Sequence, residues 1–170
     1  NLSPKFEISV TNFSDAYSFV FKLKTTQTDM DNWPWGTYIL CRDVSGISND
    51  WSVGLGQGGK IQFNIGANND NYVTSYIDVN DDVWHTIGCI KESNGHFYIV
   101  IDGQIQSPVH TAPNFLTNGN VPVKLGNAAV SSSGHTKFIG HLDELYLFNL
   151  SVSIPEIQQL YTAQSYAWNT

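Results

Sequence analysis

Two tryptophans stand one residue apart in the stretch Thr28-Asp29-Met30-Asp31-Asn32-Trp33-Pro34-Trp35-Gly36. Indole faces bury the C–H patches of sugars or the anchors of a protein partner, and they are costly on a surface that nothing covers. The same pair could instead fold back as a hydrophobic plug over the end of the protein, or contact a neighbouring domain. A second cluster, Asn68-Asn69-Asp70-Asn71-Tyr72, offers planar amides, a carboxylate and a phenol ring, which suit pairs of sugar hydroxyls. Arg42 is the only arginine, and its planar fork matches a sugar carboxylate such as that of sialic or uronic acid, or equally a surface acid such as Asp43. The candidate carbohydrate ligands are therefore Trp33, Trp35, Arg42, Asn69, Asp70 and Tyr72.

Catalytic constellations are harder to find. Glycoside hydrolysis needs two carboxylates flanking the bond, which on a strand means acids two or four residues apart on one face. The glutamates are Glu7, Glu92, Glu144 and Glu156, none of which heads such a series, and Asp143 and Glu144 are adjacent and so point to opposite faces. No serine sits in a Gly-x-Ser-x-Gly turn, and neither cysteine has a histidine close in sequence. His85, His96, His110, His135 and His141 show no zinc-ligand spacing. A binding protein is expected rather than an enzyme. With 8 basic against 15 acidic residues and a net charge of −7, nucleic acid and anionic membrane are poor partners, and no run is long enough to insert in a bilayer.

What must hold these residues is a β scaffold. Apolar residues make up 41% of the chain and charged ones only 14%, so a core is buried while Asn, Ser, Thr and Gly solvate the surface. Period-two alternation runs through Phe19 to Leu23, Tyr38 to Arg42, Trp51 to Leu55, Ile61 to Ile65, Tyr72 to Ile77, Trp84 to Ile90, Phe97 to Ile101, Val121 to Leu125 and Phe138 to Phe148. Gly58-Gly59, Asn94-Gly95 and Asp102-Gly103 between them favour hairpin turns. About nine strands in 170 residues imply one two-layer antiparallel sandwich. Ser153-Ile154-Pro155-Glu156 opens a short helix running to about Tyr161. Cys41 and Cys89 are either a disulfide or two buried thiols. The sequons at Asn1, Asn12 and Asn149 decide nothing in a chain so rich in Asn, Ser and Thr.

The order of these elements resembles the laminin-G-like family. The resemblance is carried by Val83-Trp84-His85-Thr86-Ile87, the strand from Phe97 ending in Asp102-Gly103, Leu125-Gly126-Asn127, Gly140-His141-Leu142-Asp143-Glu144, and the final Ile154-Pro155-Glu156 helix. Pentraxins are similar between Trp84 and Gly103, with Cys89 at the place of their intradomain disulfide and no cysteine in the partner strand around Phe19. The resemblance implies an all-β, two-sheet jelly-roll sandwich of concanavalin A-like type with a short C-terminal helix. It implies one domain over residues 1–170, with its core at 5–162, cut from a larger secreted or cell-surface protein. Trp84 would be a core anchor and His85 an architectural residue, not a base. It also implies a non-catalytic, lectin-like module for glycans or glycoproteins, with a protein-binding adhesion module as the alternative and neighbouring domains of the same chain as possible contacts. A rim calcium carried over by position would use Asp50, Asn127 and the carbonyls of Ala67 and Leu125. If strands alternate in direction, the 43–50 and 67–72 loops share one end of the sandwich and the Trp33/Trp35 loop lies at the other.

Overall fold

The alternating segments resolve into twelve strands and a helix in a computed structural model that describes residues 6–8, 13, 15–29, 37–42, 50–66, 71–113, 122–127 and 136–165, with only the backbone described at 6, 7 and 163–165. The strands are β1 (Phe6–Ile8), β2 (Tyr17–Lys24), β3 (Thr37–Cys41), β4 (Trp51–Gly56), β5 (Lys60–Ile65), β6 (Tyr72–Asp78), β7 (His85–Lys91), β8 (His96–Ile101), β9 (Gln104–Ile105), β10 (His110–Thr111), β11 (Val123–Leu125) and β12 (His141–Phe148), followed by α1 (Ile154–Ser165). The first sheet runs β1-β11-β3-β4-β5-β6; the second runs β10-β8-β7-β2-β12, with β9 paired to β8. All the pairings are antiparallel. This is the jelly-roll sandwich that the alternation and the resemblance predict.

Inward positions of the two sheets meet in one core. Phe19 of β2 stacks on Trp51 of β4 at 4.0 Å between ring centres, and Phe63 of β5 packs edge-on against both Phe19 and Phe97 of β8. Each such buried ring or branched chain contributes about 1.5–3 kcal/mol of transfer free energy. β4 turns into β5 through Gln57–Gly59, where Gly58 and Gly59 take φ of 74° and 81°, a region that disfavours side chains.

The outer face of the second sheet is covered by α1. Ile157 and Val152 pack on Val20, Ile90, Tyr98 and Val100, and a Cβ on Gly88 would stand 2.8 Å from Ile157 Cδ1. The helix begins as its sequence indicates, with the Glu156 carboxylate accepting from both the Ser153 amide (2.8 Å) and hydroxyl (2.7 Å).

Several details differ from the sequence reading. β1, β9 and β10 have two or three residues each, too short for a periodic signal, and α1 continues to Ser165 rather than ending near Tyr161. Trp84 is not a core anchor: it is 40% exposed, because His85 takes the register position opposite the buried Leu23 and places its predecessor on the outer face. Cys41 and Cys89 are free thiols. Cys89 lies in the core opposite Phe19, whereas Cys41 pairs with Ser52 on the outer side of the other sheet, so no disulfide can join them.

Candidate functional site

On β4 and β5 the inward residues are Trp51, Val53, Leu55, Ile61, Phe63 and Ile65. Ser52, Gly54, Gly56, Lys60, Gln62 and Asn64 must therefore face outward. The pairing register lines these up across strands. Cys41, Ser52, Asn64 and Tyr72 form one transverse row, and Tyr38, Gly54, Gln62 and Thr74 form the next. The two glycines carry no side chain over the second row, and a Cβ on Gly56 would meet the Gln62 carboxamide at 2.7 Å. Exposure rises toward the edge strand: Ser52 is 1% exposed, Asn64 2% and Tyr72 38%.

The polar middle of this face is unpaired. Ser52 Oγ, Gln62 Oε1, and both Asn64 Oδ1 and Nδ2 are buried without a hydrogen-bond partner. An orphaned buried polar group costs about 1–3 kcal/mol, so these four atoms are a local cost to the fold. They are closed to solvent, with Cys41, Tyr38, Gly54 and Gly56 around them buried as well, so the part of this sheet open to a ligand is its β6 edge, at Tyr72 and Tyr76. Sequence reasoning passed over them because Ser, Gln and Asn at alternate strand positions read as ordinary solvent-facing residues. The signal that could have found them is the near-absence of bulk at Gly54 and Gly56 beside them.

The residues expected at the site are distributed unevenly. Tyr72 belongs to this face. Trp33, Trp35, Asn69, Asp70 and Ala67 lie outside the described residues. Arg42 is buried, 1% exposed, and burial lowers its pKa from the usual arginine value. Its backbone amide continues the ladder to Trp51 O at 3.0 Å, at the end of β3. Asp50 is buried too, near Tyr17, whose phenol is pushed up by burial and then by the Asp50 charge.

The Gly66 amide donates to Asp50 O at 2.8 Å, so the connections after Arg42 and after Gly66 leave from one end, while Asp29 and Thr37 bound the tryptophan segment at the other. That agrees with alternating strand direction. The proposed calcium set does not fit one ion. Leu125 pairs with Leu40, which pairs with Val53, three residues along from Asp50 and two strands away. At about 3.3 Å per residue and 4.8 Å per strand the two are roughly 14 Å apart, and Asn127 follows Leu125 away from Asp50. Donors to one calcium at about 2.3–2.6 Å cannot be that far from each other. Among the described residues no group of three or more His, Cys, Asp or Glu is placed to hold a metal.

At the far end His85 is held between two acids, Nδ1 2.7 Å from Asp102 Oδ2 and Nε2 3.1 Å from Asp81 Oδ1. The hydrogen bond to Asp102 raises the imidazole pKa above its ordinary 6.5, against the opposing effect of burial. Asp102 also accepts from the Thr86 amide at 2.8 Å. The imidazole fills the space between the two carboxylates, which gives this group the character of a bracket locking the start of β7, in line with the architectural reading of His85.

Comparison with known proteins places this geometry. Residues 5–158 match the laminin-G-type family model described as the concanavalin A-like lectin/glucanases superfamily. No curated protein matches the chain. Among solved structures, domain 4 of an extracellular arabinanase from Geobacillus stearothermophilus, in complex with arabinotriose, is similar with a TM-score of 0.68 and 16% identity, over 92% of this chain and 72% of that one. The CBM40 of a Ruminococcus gnavus IT-sialidase, bound to alpha2,3 sialyllactose, gives 0.65 and 13% over 94% and 97%. A heptameric SAP-like pentraxin from Limulus polyphemus gives 0.64 and 12% over 95% and 78%. At these identities the likeness is one of fold. The match over residues 5–158, together with the two antiparallel sheets, shows that this chain belongs to the laminin-G-type family of the concanavalin A-like lectin/glucanases superfamily.

Proposed function

We propose that this chain is a non-catalytic carbohydrate-binding module of a secreted or cell-surface protein, and that its ligand lies along the β6 edge of the first sheet. The observation that carries this reading is the pair of exposed tyrosine rings, Tyr72 and Tyr76, on the edge strand β6 of the first sheet. A saccharide supplies a C–H face for such rings. Similar folds in complex with arabinotriose and with sialyllactose support it.

Titration calorimetry against oligosaccharides tests it. Tyr72→Ala and Tyr76→Ala are each expected to weaken binding about tenfold or more, close to 1.4 kcal/mol. Both side chains are exposed, so neither variant should lose stability in urea melts. Wild-type affinity in both variants would move the ligand off this edge. The adhesion alternative has its own support in Val83, Trp84 and Ile139, all exposed near the opposite end, where a protein partner would find apolar anchors.

A further inference from the structure

Separately from the sugar site at the β6 edge, we infer that the Val83-Trp84-Ile139 end of the second sheet is a docking surface for a basic protein segment, one that carries an apolar side chain beside an arginine or lysine. Three exposed apolar side chains meet there: Val83 is 53% exposed, Trp84 40% and Ile139 69%. Scattered singly such residues need no partner, but these are neighbours. The Thr25 hydroxyl donates to Ile139 O at 2.6 Å while Thr25 O accepts from the Asp82 amide at 3.1 Å, so the residue after β2 joins the two segments. The Trp84 ring centre stands 6.2 Å from that of His141, two residues beyond Ile139.

The backbone that carries these anchors is fixed. Gln27 Oε1 accepts from the Ile139 amide at 2.8 Å, and Gln27 O accepts from Asn80 Nδ2 at 3.1 Å. Asp81 Oδ1 accepts from the Val83 amide at 3.0 Å. Gly140 lets the segment close on β2, since a Cβ there would stand 2.7 Å from Lys24 O. Anchors ordered before binding lose little freedom on binding.

The aliphatic chains decide between a sugar and a protein. Val83 and Ile139 offer a saccharide neither a flat ring face nor a polar group, whereas an indole with neighbours that exclude water is how protein hot spots are made.

Charge decides the sign of the partner. Residues 78–82 include three exposed aspartates, Asp78, Asp81 and Asp82; Asp29 is exposed as well, and Asp102 holds His85 from its other side. The cationic groups described at this end are Lys24, 3.4 Å from Asp82, Lys60, 3.0 Å from Asp78, His85, and Lys137, whose carbonyl accepts from Gln27. Acids outnumber them, on a chain of net charge −7. An arginine resting on the Trp84 indole gains the ring face and has Asp82 two residues away in the chain, where the Lys24 pairing is an exposed one of small worth.

The test is selection of the full chain against a displayed library of linear peptides at about 50 mM salt, then calorimetry of the peptides selected. The expected peptides carry Arg or Lys next to a large apolar side chain, and bind Trp84→Ala and Ile139→Ser about tenfold or more weaker than wild type. Binding should also fall about threefold or more in Asp82→Asn and at about 500 mM salt, and be unchanged in Tyr76→Ala. Ile139 is mostly exposed, so its variant keeps the test usable if the Trp84 variant folds poorly. Selected peptides without basic residues that still need Trp84 overturn the basic assignment. Absence of any peptide sensitive to Trp84→Ala or Ile139→Ser overturns the docking surface. Oligosaccharide binding that is lost in Trp84→Ala and kept in Tyr72→Ala and Tyr76→Ala overturns the protein assignment and moves the sugar site here, whereas failure of the sugar reading alone leaves the peptide result unchanged.

Discussion

Asn64 and His85 show two opposite ways of placing a polar side chain inside a sandwich. Asn64 is buried and unpaired, so the fold bears its desolvation. His85 is buried and doubly paired, with Asp102 and Asp81 on its two nitrogens. Its folded-state pKa is raised above 6.5, chiefly by the Asp102 hydrogen bond. The stabilisation from that bracket is therefore complete below the ordinary histidine pKa and is lost as pH rises through the higher folded-state value. Unfolding free energy in urea should fall as pH is raised through and above neutrality, and His85→Gln should flatten that slope. An unchanged slope in the variant would assign the dependence to another group.

The elements divide the labour between the two sheets. α1 occupies the outer face of the second sheet because Gly88 leaves space for Ile157 on β7, between Val20 and Val100. Gly88→Leu must push the helix away, since its side chain would grow into Ile157 Cδ1 and Val100 Cβ. We expect a loss of about 1–3 kcal/mol from overpacking, read as a lower urea midpoint. Sugar binding by the variant should be unchanged while it is folded, because the other sheet is untouched. On the first sheet the glycines at 54 and 56 act in the opposite sense, keeping a strip of β4 low beside Gln62 and Asn64.

At the scale of the molecule, the chain is acidic and its described lysines are engaged. Affinity for a neutral sugar should change less than about twofold between roughly 50 and 500 mM sodium chloride. A steep loss with salt would mean that charge, not hydroxyl pairing, drives binding. Much of this architecture was legible in the sequence. Period-two alternation through Trp51-Ser52-Val53-Gly54-Leu55 and Ile61-Gln62-Phe63-Asn64-Ile65 states which residues face the core, because strand geometry is local. The Ser153 to Glu156 start of the helix is equally local. What only the tertiary structure decided is who stands beside whom. Ser52, Asn64 and Tyr72 become neighbours through β4-β5-β6 register, Leu125 is carried away from Asp50 by the β11-β3-β4 order, and Trp84 is turned outward by one position of pairing. Alternation along a strand says which side a residue faces, whereas register and strand order, set by hydrogen bonds between distant segments, say what it meets there.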